Sequence, residues 1–429
     1  MVTRTLCLLG YVLGCLLAFS ARAELVIEVT QGKQSAIPMA VVPMSWSGEG
    51  ELPEDISAVV ENDLGSSGYF RMLDQANMIS RPSELDDINY ADWRNLQQDF
   101  VMIGRIAQDA SGYTVEFHVV DVAKRIEVLK HRVKGKASQL RDIAHYISDY
   151  IFERLTGIRG VFSTKLIYVT TNRERSRFNL NYADADGARE QLIFTSPHPI
   201  ISPAWAPDGN KVAYVSFESG RSAIYFQELA TGKRELVIKM QGSTSAPSFS
   251  PDGKRLAFVH SKLGNPDIYV LDLDSRNIER LTNHYAIDTE PQWMPDGRSL
   301  VFTSSRAGGP QVYKLDAATK SVDRMTFQGN YNARPRVTED GRKLVYVHQR
   351  GQRFHIASQD IRSGRVQVLT NDTDLDESPS VAPNGSMVVY ATSEADRSIL
   401  AAVSVDGDVK FRLPSKYGDV REPAWSPIF

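Results

Sequence analysis

Five apolar runs, KVAYV from Lys211, RLAFV from Arg255, SLVFT from Ser299, KLVYV from Lys343 and MVVYA from Met387, stand 44 residues apart. Each alternates or is β-branched, the pattern of a strand buried in a sheet. A second run follows each of the first four: AIYFQEL, DIYVLDL, QVYKLDA and HIASQDI. A third strand is predicted to end near Val237, Leu281, Met325 or Leu369. Ahead of each first run lies a corner: SPAWAPDG from Ser202, APSFSPDG from Ala246, EPQWMPDG from Glu290, RPRVTEDG from Arg334 and SPSVAPNG from Ser378. A truncated EPAWSP begins at Glu422. Four short strands per unit, repeated at a fixed step of about 40 to 45 residues, predict the blades of a β-propeller.

The two ends of the repeat set the blade number. KLIYVTT, Lys165–Thr171, precedes the first corner, and the last corner has no run after it. Each orphan completes the other, which predicts six blades closed by the C-terminal strand and no open sheet edge in the ring. Ahead of the ring the periodicity changes. ELVIEVT and AIPMAVVPM read as strands, and PEDISAVVENDLGSSG as a helix with Ile56, Val59, Val60 and Leu64 on one face. DFVMIGRI, GYTVEFHVVDV and RIEVLKHRVKG read as antiparallel strands. SQLRDIAHYISDYIFERLTG reads as a helix capped by Ser138 and ended by Gly157. The expected organisation is a small α/β domain over 24–158 and an all-β six-bladed propeller over 159–429.

Residues 1–23 are set apart from both. Arg4, the apolar run Leu6–Phe19 and Ala21-Arg22-Ala23 form the pattern of a cleaved secretory signal. The apolar run is shorter than the ~20 residues of a membrane span. Cleavage would leave 406 of 429 residues and remove both cysteines, Cys7 and Cys15, so the exported chain is expected to fold without disulfides. Discounting Arg4 and Arg22, 47 basic residues face 52 acidic ones, a net of −5. With no basic excess or Lys/Arg run, nucleic acid is not an expected partner. No membrane span is expected in the mature chain.

Candidate chemistry is sparse. There is no G-x-S-x-G elbow, H-E-x-x-H pair, cysteine-rich zinc spacing or phosphate loop, and eight histidines lie scattered. No catalytic residue is assigned. Asp208, Asp252, Asp296 and Asp340 invite a metal or catalytic reading, but Pro-Asp-Gly is itself a favourable turn. Trp205, Phe249 and Trp293 read as blade core. The residues before each proline should face one mouth of the central channel: Ser202, Ala246, Thr289–Glu290, Arg334, Glu377–Ser378 and Arg421–Glu422, with Asp288, Asp374, Asp376 and Asp419 nearby. Such a mouth could take a peptide or, through carboxylates, a divalent cation. LVIEV at the start of the exported chain suits an added edge strand or an ordinary first strand.

IPMAVVPMSW, PEDI, LTGIRGVF, SPAWAPDGNKVAYVSFESGRSA, FSPDGKRLAF, TEPQW, LDESPSVAPNG and EPAWSP resemble the TolB family, periplasmic components of the Tol–Pal system of Gram-negative bacteria. FESGRSA and LTGI are not general propeller features. The resemblance covers essentially the whole chain. It implies a non-enzymatic periplasmic adaptor, monomeric outside its complexes, that supports outer-membrane integrity and constriction at division. It also implies Pal, a peptidoglycan-gripping lipoprotein, at the channel mouth, near Ser202, Ser243, Ser245, Ala246, Thr289, Glu290, Arg334 and Glu377. Ser243 stands where the family pattern has histidine. The C-terminal domain of TolA would bind Glu24, Leu25, Val26, Ile27, Glu28, Val29, Thr30, Gln31 and Gly32. No cofactor is required by this reading, although the resemblance allows calcium in the channel. The competing classes are a ligand-binding propeller and a hydrolase-associated one.

Overall fold

The computed structural model describes residues 28–31, 35–262, 264–413, 415 and 418–428. The expected signal segment, Glu24–Ile27 and Gly32 lie outside them. No helix among the described residues is long and apolar enough to cross a membrane.

The first domain is built on β2 (Ile37–Val41), β3 (Ser45–Ser47), β4 (Phe70–Met72), β5 (Phe100–Asp109), β6 (Gly112–Asp121) and β7 (Ile126–Gly135). The sheet order is β4-β2-β5-β6-β7, with β3 also on β5. The first pairings are parallel, and β5-β6-β7 is an antiparallel meander. Successive strand residues face opposite sides, and β2 shows it. Met39 and Val41 pack with α1 (Ile56–Ser66) and α3 (Leu140–Thr156), whereas Ala40 and Val42 pack with Trp93 of α2 (Tyr90–Asn95). Asp55 caps α1 by accepting from the Ala58 N–H, and Gly157 ends α3 at φ 73°. Ser138 is not the cap of α3. It sits in a 3-10 turn, Ala137–Gln139, that moves the helix start to Leu140, and Gln139 Oε1 accepts from the Lys136 N–H instead.

Six four-stranded antiparallel sheets form the ring. Blades 2 to 6 begin with inner strands Ile200–Trp205, Ser243–Phe249, Asp288–Trp293, Asn332–Val337 and Asp376–Val381. Blade 1 takes its inner strand, Asp419–Trp425, from the other end of the ring, paired to Lys165–Thr171 with Val420 opposite Thr170 and Trp425 opposite Leu166. The corners are turns: Asp208, Asp252, Asp296, Asp340 and Asn384 each accept from the N–H two residues on, and the following glycines have φ between 61° and 72°. That is the Asx geometry the Pro-Asp-Gly sequence favours.

One strand falls elsewhere than expected. β1 (Glu28–Gln31) does not join the first domain's sheet. It pairs antiparallel with Lys410–Leu413, Glu28 opposite Arg412 and Val29 opposite Phe411, as a fifth strand on the outer edge of blade 6. A short strand's alternation shows only that it can pair, and the open outer edge of a blade supplies unsatisfied backbone groups for it.

Charge holds the two domains together. Asp184, at the end of a blade 1 strand, is 1% exposed. It accepts from Lys165 Nζ at 2.7 Å and Arg189 Nε at 2.7 Å, with Arg141 Nε at 3.4 Å. His145 of α3 is fully buried, with Nδ1 2.8 Å from Asp63 Oδ2 and Nε2 3.5 Å from Asp184. Arg141 also reaches Asp186 at 2.5 Å and Glu54 at 2.9 Å, and Asp142 pairs with Arg189. Burial pulls the His145 imidazole down, but Asp184, Asp63 and Asp186 outweigh it and raise it to about 10. Burial also pushes the Asp63 carboxyl up, but the positive charge sits on the histidine because its other nitrogen faces two further acids.

The folded value lies above the ordinary 6.5. The histidine's contribution to stability is therefore complete below pH 6.5 and is lost as the pH climbs towards 10. Thermal unfolding between pH 6.5 and 10 should show a falling midpoint, and His145→Asn should flatten that slope. Parallel slopes for the two proteins would contradict a charged His145.

Candidate functional site

Every inner strand breaks register at its proline. The pairing slips between Ile201 and Ala204, Ser245 and Ser248, Thr289 and Gln292, Ala333 and Arg336, Glu377 and Ser380, and Arg421 and Ala424. At each slip the residue before the proline is left-handed: Ser202 (φ 53°), Ala246 (49°), Glu290 (55°), Arg334 (54°), Ser378 (54°) and Glu422 (51°). None is glycine, so each costs roughly 1–2 kcal/mol of backbone strain, held by the surrounding sheet. Strain repeated at one level of a channel marks a place where side-chain direction matters.

The bulges turn these six side chains onto the wall of an axial cavity of about 740 Å³. The ring they form is lopsided. Arg334 Nε lies 3.2 Å from Glu290 Oε1, its Nη1 donates to Ser378 Oγ, and the same nitrogen is 3.6 Å from Glu422. Glu290 Oε2 accepts from the Arg334 N–H at 2.8 Å and from Thr303 Oγ1 at 2.8 Å. One arginine thereby ties blades 4, 5, 6 and 1 across two thirds of the ring. Burial lowers the Arg334 guanidinium, but Glu422, Glu290 and Glu377 more than offset it and the net direction is up. The remaining third carries only Ser202 and Ala246 among the bulge residues, so the opening lies over blades 2 and 3.

Of the residues expected at the mouth, Ser202, Ala246, Glu290, Arg334, Ser378 and Glu422 come together on this wall. Ser243 is exposed where the blade 3 inner strand begins, opposite Ser261. Ser245, Thr289 and Glu377 are half-buried one step before the ring, opposite Val259, Thr303 and Ala391, and do not border the cavity. Of the expected N-terminal segment, Glu28, Val29, Thr30 and Gln31 lie on the blade 6 edge. Four of the carboxylates expected to offer a cation cage have protein partners. Asp288 is fully buried and holds Arg306 at 2.9 and 3.0 Å. Asp376, also buried, accepts from the hydroxyls of Thr370, Thr373 and Thr392. Glu290 and Glu422 are likewise turned to Arg334.

Sequence reading missed the next level down, two residues past the ring: Ala204, Ser248, Gln292, Arg336, Ser380 and Ala424. Aligning the repeat at that position gives one charge, Arg336, and that was the available signal.

Comparison with known proteins agrees with this architecture. Residues 152–429 match the TolB beta propeller domain, and residues 25–128 the TolB amino-terminal domain. The Tol-Pal system protein TolB of Marinomonas sp. (strain MWYL1) is 52% identical over 227 residues, 52% of each chain. That of Pseudomonas aeruginosa is 47% identical over 230 residues, 53% of each chain. The chain thus spans about half the length of the curated relatives it matches. Among solved structures, TolB from Acinetobacter baumannii superposes with a TM-score of 0.88 at 42% identity, covering 94% of this chain and 100% of that one. On the propeller match alone, which takes in more than half of the residues, the chain belongs to the TolB family.

Proposed function

We propose that the protein is a periplasmic, non-enzymatic adaptor of the Tol–Pal envelope system, binding Pal at the channel mouth and the TolA C-terminal domain through its N-terminal segment. The observation that carries this reading is the lopsided ring in a chain of this family. Ser202 and Ala246 leave one side of the mouth open, while Arg334 braces the other. Loops and bulges on a rigid scaffold are where recognition residues gather. In this role the protein would support outer-membrane integrity and constriction at division.

The placement of β1 supports separate partner surfaces. It lies four strands out from the blade 6 inner strand, about 19 Å at ordinary strand spacing. A terminal strand that pairs through backbone alone can exchange its own blade for a partner's sheet edge. Coupling between the sites would require Pal to favour one of these two states.

The test is deletion of residues 24–32, with both partners titrated calorimetrically. TolA binding should be lost and Pal binding retained within about threefold, a difference of roughly 0.6 kcal/mol. Equal loss of both would refute the division of surfaces.

A further inference from the structure

Three of the six positions below the ring do structural work that recurs at the blade step. Ser248 Oγ accepts from the Trp293 N–H at 3.3 Å, Gln292 Oε1 from the Val337 N–H at 2.8 Å, and Ser380 Oγ from the Trp425 N–H at 2.9 Å. Each pins one blade to the backbone of the next. Blade 5 puts Arg336 there instead. A guanidinium has five donors and no acceptor, so it cannot make that pin.

Arg336 also lacks the partners an enclosed arginine normally has. Among the described residues it makes no ion pair, and its one hydrogen bond runs from Nη1 to the carbonyl of its own neighbour Pro335 at 2.8 Å. The glutamates nearest the axis are turned to Arg334 one level above. Burial lowers the Arg336 guanidinium from its ordinary value, and the distant Glu290 and Glu422 do not make up the deficit. Arg336 lines the cavity, whose wall includes Pro207, Pro251 and Trp293.

We propose that the lower channel is a carboxylate-binding chamber, in which the Arg336 guanidinium clasps a single carboxylate whose stem lies along the proline and tryptophan wall. The ligand class is a short peptide inserted down the axis. Its acid is either the chain end or an acidic side chain. A planar carboxylate matches the guanidinium fork with two parallel hydrogen bonds. The axial cavity as a whole, about 740 Å³, falls within the ~300–1,000 Å³ usual for ligand cavities. With Glu290 and Glu422 turned to Arg334, Arg336 offers one unpaired positive charge, which matches a single carboxylate better than a doubly charged phosphate.

The experiment uses the full chain and three peptides, with binding read by calorimetry. One is acetylated tri-alanine with a free C-terminal carboxylate, the second its C-terminal amide, and the third an acetylated alanine–glutamate–alanine amide. At least one of the two carboxylate peptides should bind and the plain amide should not. Whichever binds identifies the chain end or the side chain as the source. Arg336→Gln should weaken binding at least tenfold, and Arg336→Lys, which keeps the charge but not the fork, by an intermediate factor. Both variants should keep the native unfolding midpoint within a few degrees, since Arg336 pins nothing. Equal binding of the amide, tighter binding of inorganic phosphate, no binding by either acid, or unchanged affinity in Arg336→Gln would each overturn the assignment. None of these outcomes depends on Pal or TolA, so the chamber and the adaptor reading can fail separately.

Discussion

Asp184→Asn should lower the unfolding midpoint by about 5–15 °C, the largest effect expected of any single charge substitution in this protein. Asp184 receives Lys165 and Arg189 at 2.7 Å and lies 3.4 and 3.5 Å from Arg141 and His145. Burial alone would raise its carboxyl. The bonds and charges from His145, Arg189 and Lys165 prevail and hold it well below the ordinary range. Neutralising it leaves cations from both domains facing one another without water, a loss of about 3–5 kcal/mol for a broken buried pair. The stabilisation is present above the ordinary carboxylate pKa of 3.8 and is lost as the pH falls through the depressed folded value.

Asp142→Asn is the matched control. It pairs with Arg189 and approaches Lys165 at 3.6 Å, but its side chain is 52% exposed. It should change stability by under about 1 kcal/mol, the range of surface pairs. Two variants with the same loss of charge and equal midpoints would show that burial at the domain boundary does not set the cost.

The fold was legible because its signal is repeated. One Pro-Asp-Gly corner is only a turn; six prolines at a step of 44 fix blade number and closure together. The corner aspartates were legible for a local reason, since an Asx turn needs only its own residues. What resisted reading depends on contacts between distant segments. Asp63, His145 and Asp184 are 82 and 39 positions apart and belong to two domains, so no spacing announces them. LVIEV shows that a strand will form but cannot say which of two sheets has an open edge for it. At the mouth, the pre-proline residues were found, but Thr289 and Glu377 were placed beside them. A bulge changes which of two successive side chains faces the axis, and alternation alone does not reveal a bulge. Ser138 failed as a cap for a similarly local reason, one turn of 3-10 helix ahead of α3.

Ending the chain after Gly418 should abolish cooperative folding of the ring. The inner strand Asp419–Trp425 is the only strand of blade 1 that comes from the far end of the propeller sequence. Its loss leaves Lys165–Thr171, seven buried residues, with an open edge on the channel. Val420 leaves the core between blades 6 and 1, and Trp425 leaves its place packed against it. Several hydrogen bonds within blade 1 and to its neighbours go too. Trp425 Nε1 donates to Thr164 Oγ1 at 2.8 Å, its N–H to Ser380 Oγ at 2.9 Å, and Trp205 Nε1 to the Ala424 carbonyl at 2.9 Å. Ser426 and Lys165 exchange two further bonds of 2.9 Å, closing the seam between the ring's first and last residues. Burial of one large apolar side chain is worth about 1.5–3 kcal/mol, and about 1 kcal/mol attaches to each hydrogen bond. Together these approach the roughly 5–15 kcal/mol net stability of a whole domain. The measurement is thermal and urea unfolding of the truncated chain, with the peptide 419–429 then added in excess. The shortened protein should show no sharp transition, and the peptide should restore one by supplying the missing strand. A truncated chain that melts cooperatively within a few degrees of the full one would mean that five blades and an open sixth edge suffice.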